Sequence, residues 1–403
     1  MRYDSVKSVA QAQQMLAQND AVVKTVEAVS IGEAVGRIAA SPIKSPIDSP
    51  PQDNSAMDGV AISCSELRQF RISQRIPAGL APQSLSPQTA ARIFTGGVIP
   101  EGADAVVIQE QCDFSIPGTV RILNDPKPGD NIRPRGQDIA AGTTIIDQGQ
   151  SLTPIDIALL SSVGIGEISV FKRLKVAVLS TGDELVEPGQ ALIPGQIYNS
   201  NRILISLLAK SLGCDVLDIG RVADTFEATR SALEQAAQSA DLIISTGGVS
   251  VGEEDHVRPA VESLGKLTFW KINMKPGKPV AVGKIGNSQI LGLPGNPVSS
   301  FVVFQLLGVP LIKALQGAHS ELPKPISVPA AFAKAAGTRE EYVRVKLEHD
   351  ENGRARAVLF SNLSSGVLSS LSWADGLVKQ SPDHAIQVGD LVDFYALRSS
   401  SLW

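Results

Sequence analysis

From Leu174 onward, continuous apolar strands alternate with amphipathic helices, and glycine-bearing loops follow the strands. A strand that is apolar on both sides must be buried on both sides, so this alternation predicts a mainly parallel sheet covered by helices on each face. The expected succession is a strand at 175–180, a helix at 201–212 ended by Gly213, a strand at 214–219, a helix at 225–240 and a strand at 241–245. A long helix at 298–316 closes the domain. In open sheets of this kind, ligands bind beyond the carboxyl ends of the strands. Ser180-Thr-Gly-Asp-Glu-Leu185 and Ser245-Thr-Gly-Gly248 both fall at such ends, so the two loops are expected to converge.

The remainder of the chain reads differently. Val6, Val9, Ala10, Ala12, Met15 and Leu16 recur at helical spacing and predict an amphipathic helix over 5–18. Prolines at 42, 46, 50 and 51 then enforce extended chain and mark a boundary. Residues 54–139 read as short strands divided by Gly/Pro turns, with examples at 103–110 and 119–123, and form a small all-β domain. A helix follows at 154–163, with Pro154 in its first turn and Thr153 as the cap candidate. Prolines at 323, 325 and 329 mark another boundary, and strand candidates at 341–347, 355–360 and 391–397 make a second small β domain. The fold class is α/β plus β in a multidomain chain, and 403 residues suit roughly two to four domains.

Composition removes whole classes of function. A formal net charge of −5 and an aromatic content of 4% argue against nucleic-acid binding, which needs a concentrated basic surface and stacking platforms. The segment Met1-Arg-Tyr-Asp-Ser-Val-Lys7 lacks a basic-then-apolar signal layout, and no uninterrupted apolar run spans a bilayer; a cytoplasmic protein without membrane contact is expected. Cys64, Cys112 and Cys214 are dispersed and odd in number, which argues against a disulfide framework. The four histidines show no zinc-site spacing.

Chemistry concentrates in loops. Ser245-Thr-Gly-Gly-Val-Ser-Val-Gly252 fits an ordinary tight turn as well as an anion-binding loop when read alone, but Glu253-Glu-Asp255 stands directly behind it. Clustered carboxylates beside a Gly-rich turn can hold Mg²⁺, which takes oxygen ligands and shares them with substrate phosphates. Lys271 and Lys275, four apart in a strand-like segment, are expected on one face, with Lys278 following in a rigid Pro-Gly-Lys-Pro turn. Three ammonium groups at one strand end would repel one another without an anion, while a solvated turn accounts for Lys271 as well, and less so for Lys275 and Lys278. Gly292-Leu-Pro-Gly-Asn-Pro297 leads into a helix whose first N–H groups form an anion site, while Asn296 is equally suited to cap that helix. In the first β domain, Asp53-Asn-Ser-Ala-Met-Asp-Gly59, Thr95-Gly96-Gly97 and Arg133-Pro-Arg-Gly-Gln-Asp138 fit either turns or oxyanion recognition.

Taken in order, Ser55-Ala-Met-Asp-Gly59, Thr95-Gly96, Pro100-Glu-Gly-Ala-Asp-Ala-Val106, Arg135-Gly-Gln-Asp138, Ser180-Thr-Gly-Asp-Glu184, Thr246-Gly-Gly-Val-Ser-Val-Gly252, Lys275-Pro-Gly-Lys-Pro279 and Gly292-Leu-Pro-Gly-Asn-Pro297 resemble the molybdopterin molybdenumtransferases. That family comprises the MoeA proteins and their relative, the gephyrin E domain. One departure is Val60, where an aromatic residue is common. The resemblance implies an elongated homodimer whose subunit has a connecting domain (1–47 and 140–173), a small β domain (48–139), an αβ domain like the molybdopterin adenylyltransferases (174–321) and a β-barrel-like C-terminal domain (322–403). The N-terminal helix is expected to pack on the αβ domain.

The implied reaction inserts molybdate into adenylylated molybdopterin with Mg²⁺ and releases AMP. By the family's pattern, Asp255, Glu184 and Asp224 bind the metal, with Asp183 beside the substrate. Lys275, Lys278, Ser299, Arg344 and Ser365 surround molybdate, and Asp58, Thr95, Arg133 and Asp138 reach the cleft from the other subunit. Arg135, Gly247, Gly248, Ser250, Lys271, Pro279, Pro294, Gly295 and Asn296 complete the substrate contacts, and Asp58, Glu184, Asp224, Asp255, Lys275 and Lys278 carry the chemistry. Transient contacts with a molybdopterin adenylyltransferase and with cofactor-delivery proteins follow from such a role. The competing expectations are a molybdopterin-binding scaffold without turnover and adenylyl transfer itself; the paired carboxylates and lysines favour molybdate insertion.

Overall fold

The computed structural model describes residues 6–17, 25–249, 255–319, 322 and 324–397. The chain is multidomain, α/β plus β, and divides into two compact units. One comprises Met1–Glu27, Gly36–Ile38 and Val170–Trp403; the other, Ala28–Val35 and Ala39–Ser169, is inserted into it.

The first unit is built on a six-stranded sheet in the order Asp215–Val222, Lys175–Thr181, Leu242–Thr246, Ser288–Leu293, Pro279–Ile285, Gly265–Lys271. The first four run parallel, Pro279–Ile285 runs antiparallel to both of its neighbours, and Gly265–Lys271 returns to the direction of the first four. Alternate side chains explain the two helical layers. Val176, Val178, Leu242, Ile244, Leu291 and Leu293 face a core shared with helices Val9–Ala17, Ser200–Ser211 and the long helix that starts at Pro297. Ala177, Leu179, Ile243 and Ile290 face the opposite core, with helices Phe226–Ser239 and Val257–Leu264. The strand expected to stop at Ile219 runs on to Val222, because Gly220 adopts a positive φ where the pairing with Val178 and Leu179 slips.

The long helix, Pro297–Leu315, has 19 residues and enough hydropathy to cross a bilayer, yet it lies in the core of this unit. It is not a continuous α-helix: Phe304–Gly308 forms a π-helical turn. The cause is in the sequence. Pro310 has no N–H to give to the carbonyl four residues back, that of Leu306, so the ladder breaks there. The Gln13 side chain supplies the missing donor, Nε2 to Leu306 O at 3.0 Å, across 293 residues of sequence. Gln13→Leu removes this bond to a buried carbonyl, and urea unfolding should show a loss of about 1–2 kcal/mol.

A second sheet in this unit has the order Met274–Lys275, Glu340–His349, Gly376–Gln380, Leu391–Ala396, Ile326–Pro329, with Ala355–Leu359 paired to Glu340–His349. A bridge between Ala330 and Ala357 links the end of the Ile326–Pro329 strand to Ala355–Leu359. Its core includes Val328, Val343, Val345, Ala357, Val378 and Phe394. The strand Met274–Lys275 crosses from the αβ sequence to pair, Lys275 with Glu341, in this sheet.

The other unit contains a six-stranded sheet ordered Ala105–Ile108, Gly59–Ile62, Thr89–Ile93, Gln69–Ile76, Thr119–Ile122, Cys112–Asp113. Val60 is fully buried within it. Helix Pro154–Ser162 starts as expected: the Thr153 hydroxyl accepts from Asp156 N–H, and the Asp156 carboxylate accepts from Thr153 N–H. Cys64, Cys112 and Cys214 are all free thiols.

Candidate active site

The parallel register sets the site. Thr181 lies beside Val222, Ser180 beside Thr246 and Thr246 beside Leu293, so four strands end abreast at one rim. The loops that leave them carry Gly182 to Glu184, Asp224, Gly247 and Gly248, and Pro294 to Asn296. The sheet order reverses between 175–181 and 242–246, the place where an open sheet forms a crevice. There the loops enclose a cavity of about 700 Å³ lined by Thr181, Glu184, Asp224, Gly247, Asp255 and Asn296 among others. Gly247 is required on steric grounds: its φ is +88°, and an added Cβ would sit 2.7 Å from the Thr181 carbonyl oxygen.

Electrostatically this cavity is acidic. Asp224 Oδ1 is buried without a hydrogen-bond partner. Burial raises the Asp224 pKa above the usual carboxylate value; His256 pulls it down, while Asp183, Glu184 and Asp255 push it further up. Asn199, itself buried, donates to Ser180 Oγ at 2.7 Å, and Asn201 donates to the Gly295 carbonyl at 2.6 Å, tying the rim loops to the start of helix Ser200–Ser211. Asp183 is placed otherwise than expected. It does not line the cavity; its carboxylate accepts from Asp224 N–H at 3.4 Å and faces Arg221 at 3.9 Å.

A second cavity, about 540 Å³, adjoins the first, and Pro279 and Asn296 line both. Its walls include Lys275, Lys278, Ser299, Arg339, Glu341, Arg344 and Ser365. The Lys275-Pro-Gly-Lys278 turn lies against the long helix. Gly277 has φ +100°, and a Cβ there would come within 2.4 Å of Val303 Cγ2. At the start of that helix, Asn296 occupies the cap position but makes no side-chain cap bond, and Pro297 follows as the first helical residue. Val298 N–H donates to the Ser365 carbonyl at 3.0 Å, and Ser300 N–H to Asn296 at 2.9 Å. Ser299 N–H is left without a protein acceptor among the described residues, and Ser299 lines the cavity.

Several expectations need correction. Lys271 and Lys275 do not share a face: Lys271 ends a strand of the αβ sheet and lines neither cavity, whereas Lys275 pairs into the C-terminal sheet. Arg344 lines the second cavity with Lys275, Lys278, Ser299 and Ser365 as expected; its guanidinium is buried and donates to Ser370 Oγ and to the carbonyls of Asn362, Leu363 and Ser364. It therefore shapes the loop that carries Ser365. Ser250, Glu253 and Glu254 lie outside the described residues. Among the described residues, no three His, Cys, Asp or Glu side chains close on a single point as a complete metal site. Glu341 and Arg339 were not foreseen; the alternation Val343-Arg-Val-Lys-Leu347 marks a strand but not which side chains at its start face a site.

In the inserted unit, Asp58 and Thr95 do come together. Asp58 accepts from Thr95 N–H at 2.8 Å and from its hydroxyl at 2.9 Å, which with Arg92 holds the carboxyl below its ordinary pKa. Arg133 and Asp138 are exposed, while Arg135 is paired with Asp48.

Comparison with known proteins decides the family. Three family models match in order: MoeA N-terminal region (domain I and II) over 7–164, "Probable molybdopterin binding domain" over 177–314, and MoeA C-terminal region (domain IV) over 328–397. The molybdopterin molybdenumtransferase of Haemophilus influenzae is 47% identical over 295 residues, covering 72% of this chain and 73% of that one. Molybdopterin molybdenumtransferase 2 of Mycobacterium tuberculosis is 33% identical over 380 residues, covering 89% and 92%. This chain belongs to the molybdopterin molybdenumtransferase family. The crystal structure of a molybdopterin biosynthesis MoeA protein from Pyrococcus horikoshii superposes with a TM-score of 0.82 at 26% identity, covering 97% of this chain and all of that one.

Proposed function

We propose that this transferase inserts molybdate into adenylylated molybdopterin and releases AMP. The observation that carries the reading is the pairing of cavities: a glycine- and carboxylate-lined one at the strand rim, and a lysine-lined one meeting it at Pro279 and Asn296. The first is suited to a nucleotide-capped pterin, whose phosphates can approach the bare backbone of Gly247 and Gly248. The second is suited to a tetrahedral dianion: Lys275 and Lys278 offer ammonium donors, and Ser299 offers a hydroxyl and a backbone N–H.

The donor set fits Mg²⁺. The unpartnered, buried Oδ1 of Asp224 faces other carboxylates, which is unfavourable without a cation, and Mg²⁺ commonly takes one or two carboxylates and completes its shell with substrate oxygens. Asp224, with Asp255 and Glu184 in the same cavity lining, would supply carboxylate oxygens to Mg²⁺, the rest of its shell coming from substrate oxygens, and the ion would supply positive charge against the phosphates. The protein's own groups do the rest. Lys275 and Lys278 hold the oxyanion in place, the glycine loops orient the nucleotide, and Asn296 stands where the two ligands meet.

The same reading makes the protein a cytoplasmic homodimer of four-domain subunits, with Asp58, Thr95, Arg133 and Asp138 completing the partner's cleft. It takes its substrate from a molybdopterin adenylyltransferase and passes the product to delivery proteins. Purified protein given adenylylated molybdopterin, molybdate and Mg²⁺ should produce AMP and loaded cofactor in equal amounts. AMP release independent of molybdate, or none at all, overturns the assignment. Because the cleft is shared in this reading, mixing the Asp58→Ala and Lys275→Ala proteins at molybdate well below the Lys275→Ala half-maximal concentration should give turnover above that of either alone.

A further inference from the structure

Behind the lysine-lined cavity stands an ion triad that the proposed reaction does not by itself require. Glu341 is buried, with only 7% of its side chain exposed, and its two oxygens go to different lysines. Oε1 lies 3.1 Å from Lys275 Nζ, and Oε2 lies 2.7 Å from Lys334 Nζ. The lysines are not equivalent. Lys275 is half exposed and lines the cavity, whereas Lys334 is 13% exposed and does not. Lys334 is fixed from behind, since its backbone exchanges both hydrogen bonds with Ile386.

The charges do not balance. One carboxylate against two ammonium groups leaves one positive charge over, and the half-exposed member is the one that faces the cavity. A lone Glu341–Lys275 pair would be neutral, and its carboxylate would oppose any oxyanion approaching Lys275. We propose that Lys334 is a positioning residue that neutralises Glu341 from the buried side, so that Lys275 is held in place while its charge remains available to the oxyanion. This rests on the reading of the second cavity as the molybdate site. Burial pushes the Glu341 carboxyl up, but the hydrogen bonds from Lys334 and Lys275 more than offset that, so the group stays ionised.

The competing view is a plain structural ion network that fastens the 274–275 strand to the C-terminal sheet. Charge reversal of the effect separates the two. Lys334→Met should raise the KM for molybdate by roughly tenfold, the loss expected when a charge-assisted hydrogen bond to an anion is weakened, with kcat much less affected. Lys334→Met combined with Glu341→Gln restores the excess positive charge and should return the molybdate KM to within about twofold of wild type. Lys334→Arg should behave as wild type. Calorimetric titration of each protein with molybdate alone should follow the same order. A double variant that binds molybdate more weakly than Lys334→Met, or a Lys334→Met protein with unchanged affinity, overturns the proposal. If Lys334→Met does not fold, Glu341→Gln decides: tighter molybdate binding supports the role, and unchanged or weaker binding rejects it. A wild-type protein without saturable molybdate dependence removes the reading of the cavity and this inference with it, whereas saturable wild type with identical variants removes the inference alone.

Discussion

Asp224→Asn should lose Mg²⁺-dependent AMP release by about a hundredfold or more, the scale of removing a group that holds a catalytic cation, while the folded protein becomes more stable at neutral pH. The second half is the more diagnostic. Burial and the neighbouring Asp183, Glu184 and Asp255 raise the pKa of Asp224 in the fold despite His256. The folded state therefore holds the proton to higher pH than the unfolded chain does. Its contribution is present below the unfolded value and is lost as pH climbs through the unfolded and then the folded pKa. Above its raised pKa the native chain bears an ionised carboxylate that burial and its acidic neighbours disfavour; asparagine removes that penalty. Urea melts at acidic and neutral pH, without divalent ions, should show the gap between variant and wild type opening as pH rises. Equal stability at both pH values, or undiminished AMP release, would contradict the assignment.

Lys275→Ala should raise the molybdate concentration needed for half-maximal rate by roughly 10- to 100-fold, the worth of one charge-assisted hydrogen bond to an oxyanion. The KM for the adenylylated pterin should move far less, because Lys275 lines the second cavity and not the first. The fold should survive. Glu341 keeps Lys334 at 2.7 Å, so the truncation leaves no buried carboxylate unpaired. Molybdate dependence identical to wild type would show that the oxyanion binds elsewhere.

Much of the αβ unit was legible in the sequence because its signals are local. The strands at 175–180 and 241–245 are apolar on both sides, and the glycines after them fix where the rim lies. The cap at Thr153 and the stop near Gly213 are equally local. Helix Val257–Leu264 was not anticipated, being only eight residues long, with Pro259 inside it and a glycine loop before it. The π-helical turn was missed because Pro310 takes effect four residues upstream and is compensated by a side chain at the far end of the sequence.

The site was legible as a set of loops but not as a set of directions. Equal spacing put Lys271 and Lys275 on one face, yet the chain changes sheets between them, which no period-two pattern records. Arg344 carries the charge expected of an anion ligand, but burial commits it to the carbonyls of 362–364. Glu341 was read only as the first residue of the strand at 341–347, and only the pairing of Lys275 with that strand reveals its place. Tertiary partners decided each of these.

Gln13 and Leu306 also bear on how the chain is made. A ribosome releases the opening helix first, but the segment it docks on emerges 293 residues later. The contiguous stretch 39–169 has its own sheet and can fold while synthesis continues. The helix at 9–17 must wait, its apolar face open to water, until the segment 297–315 has been made.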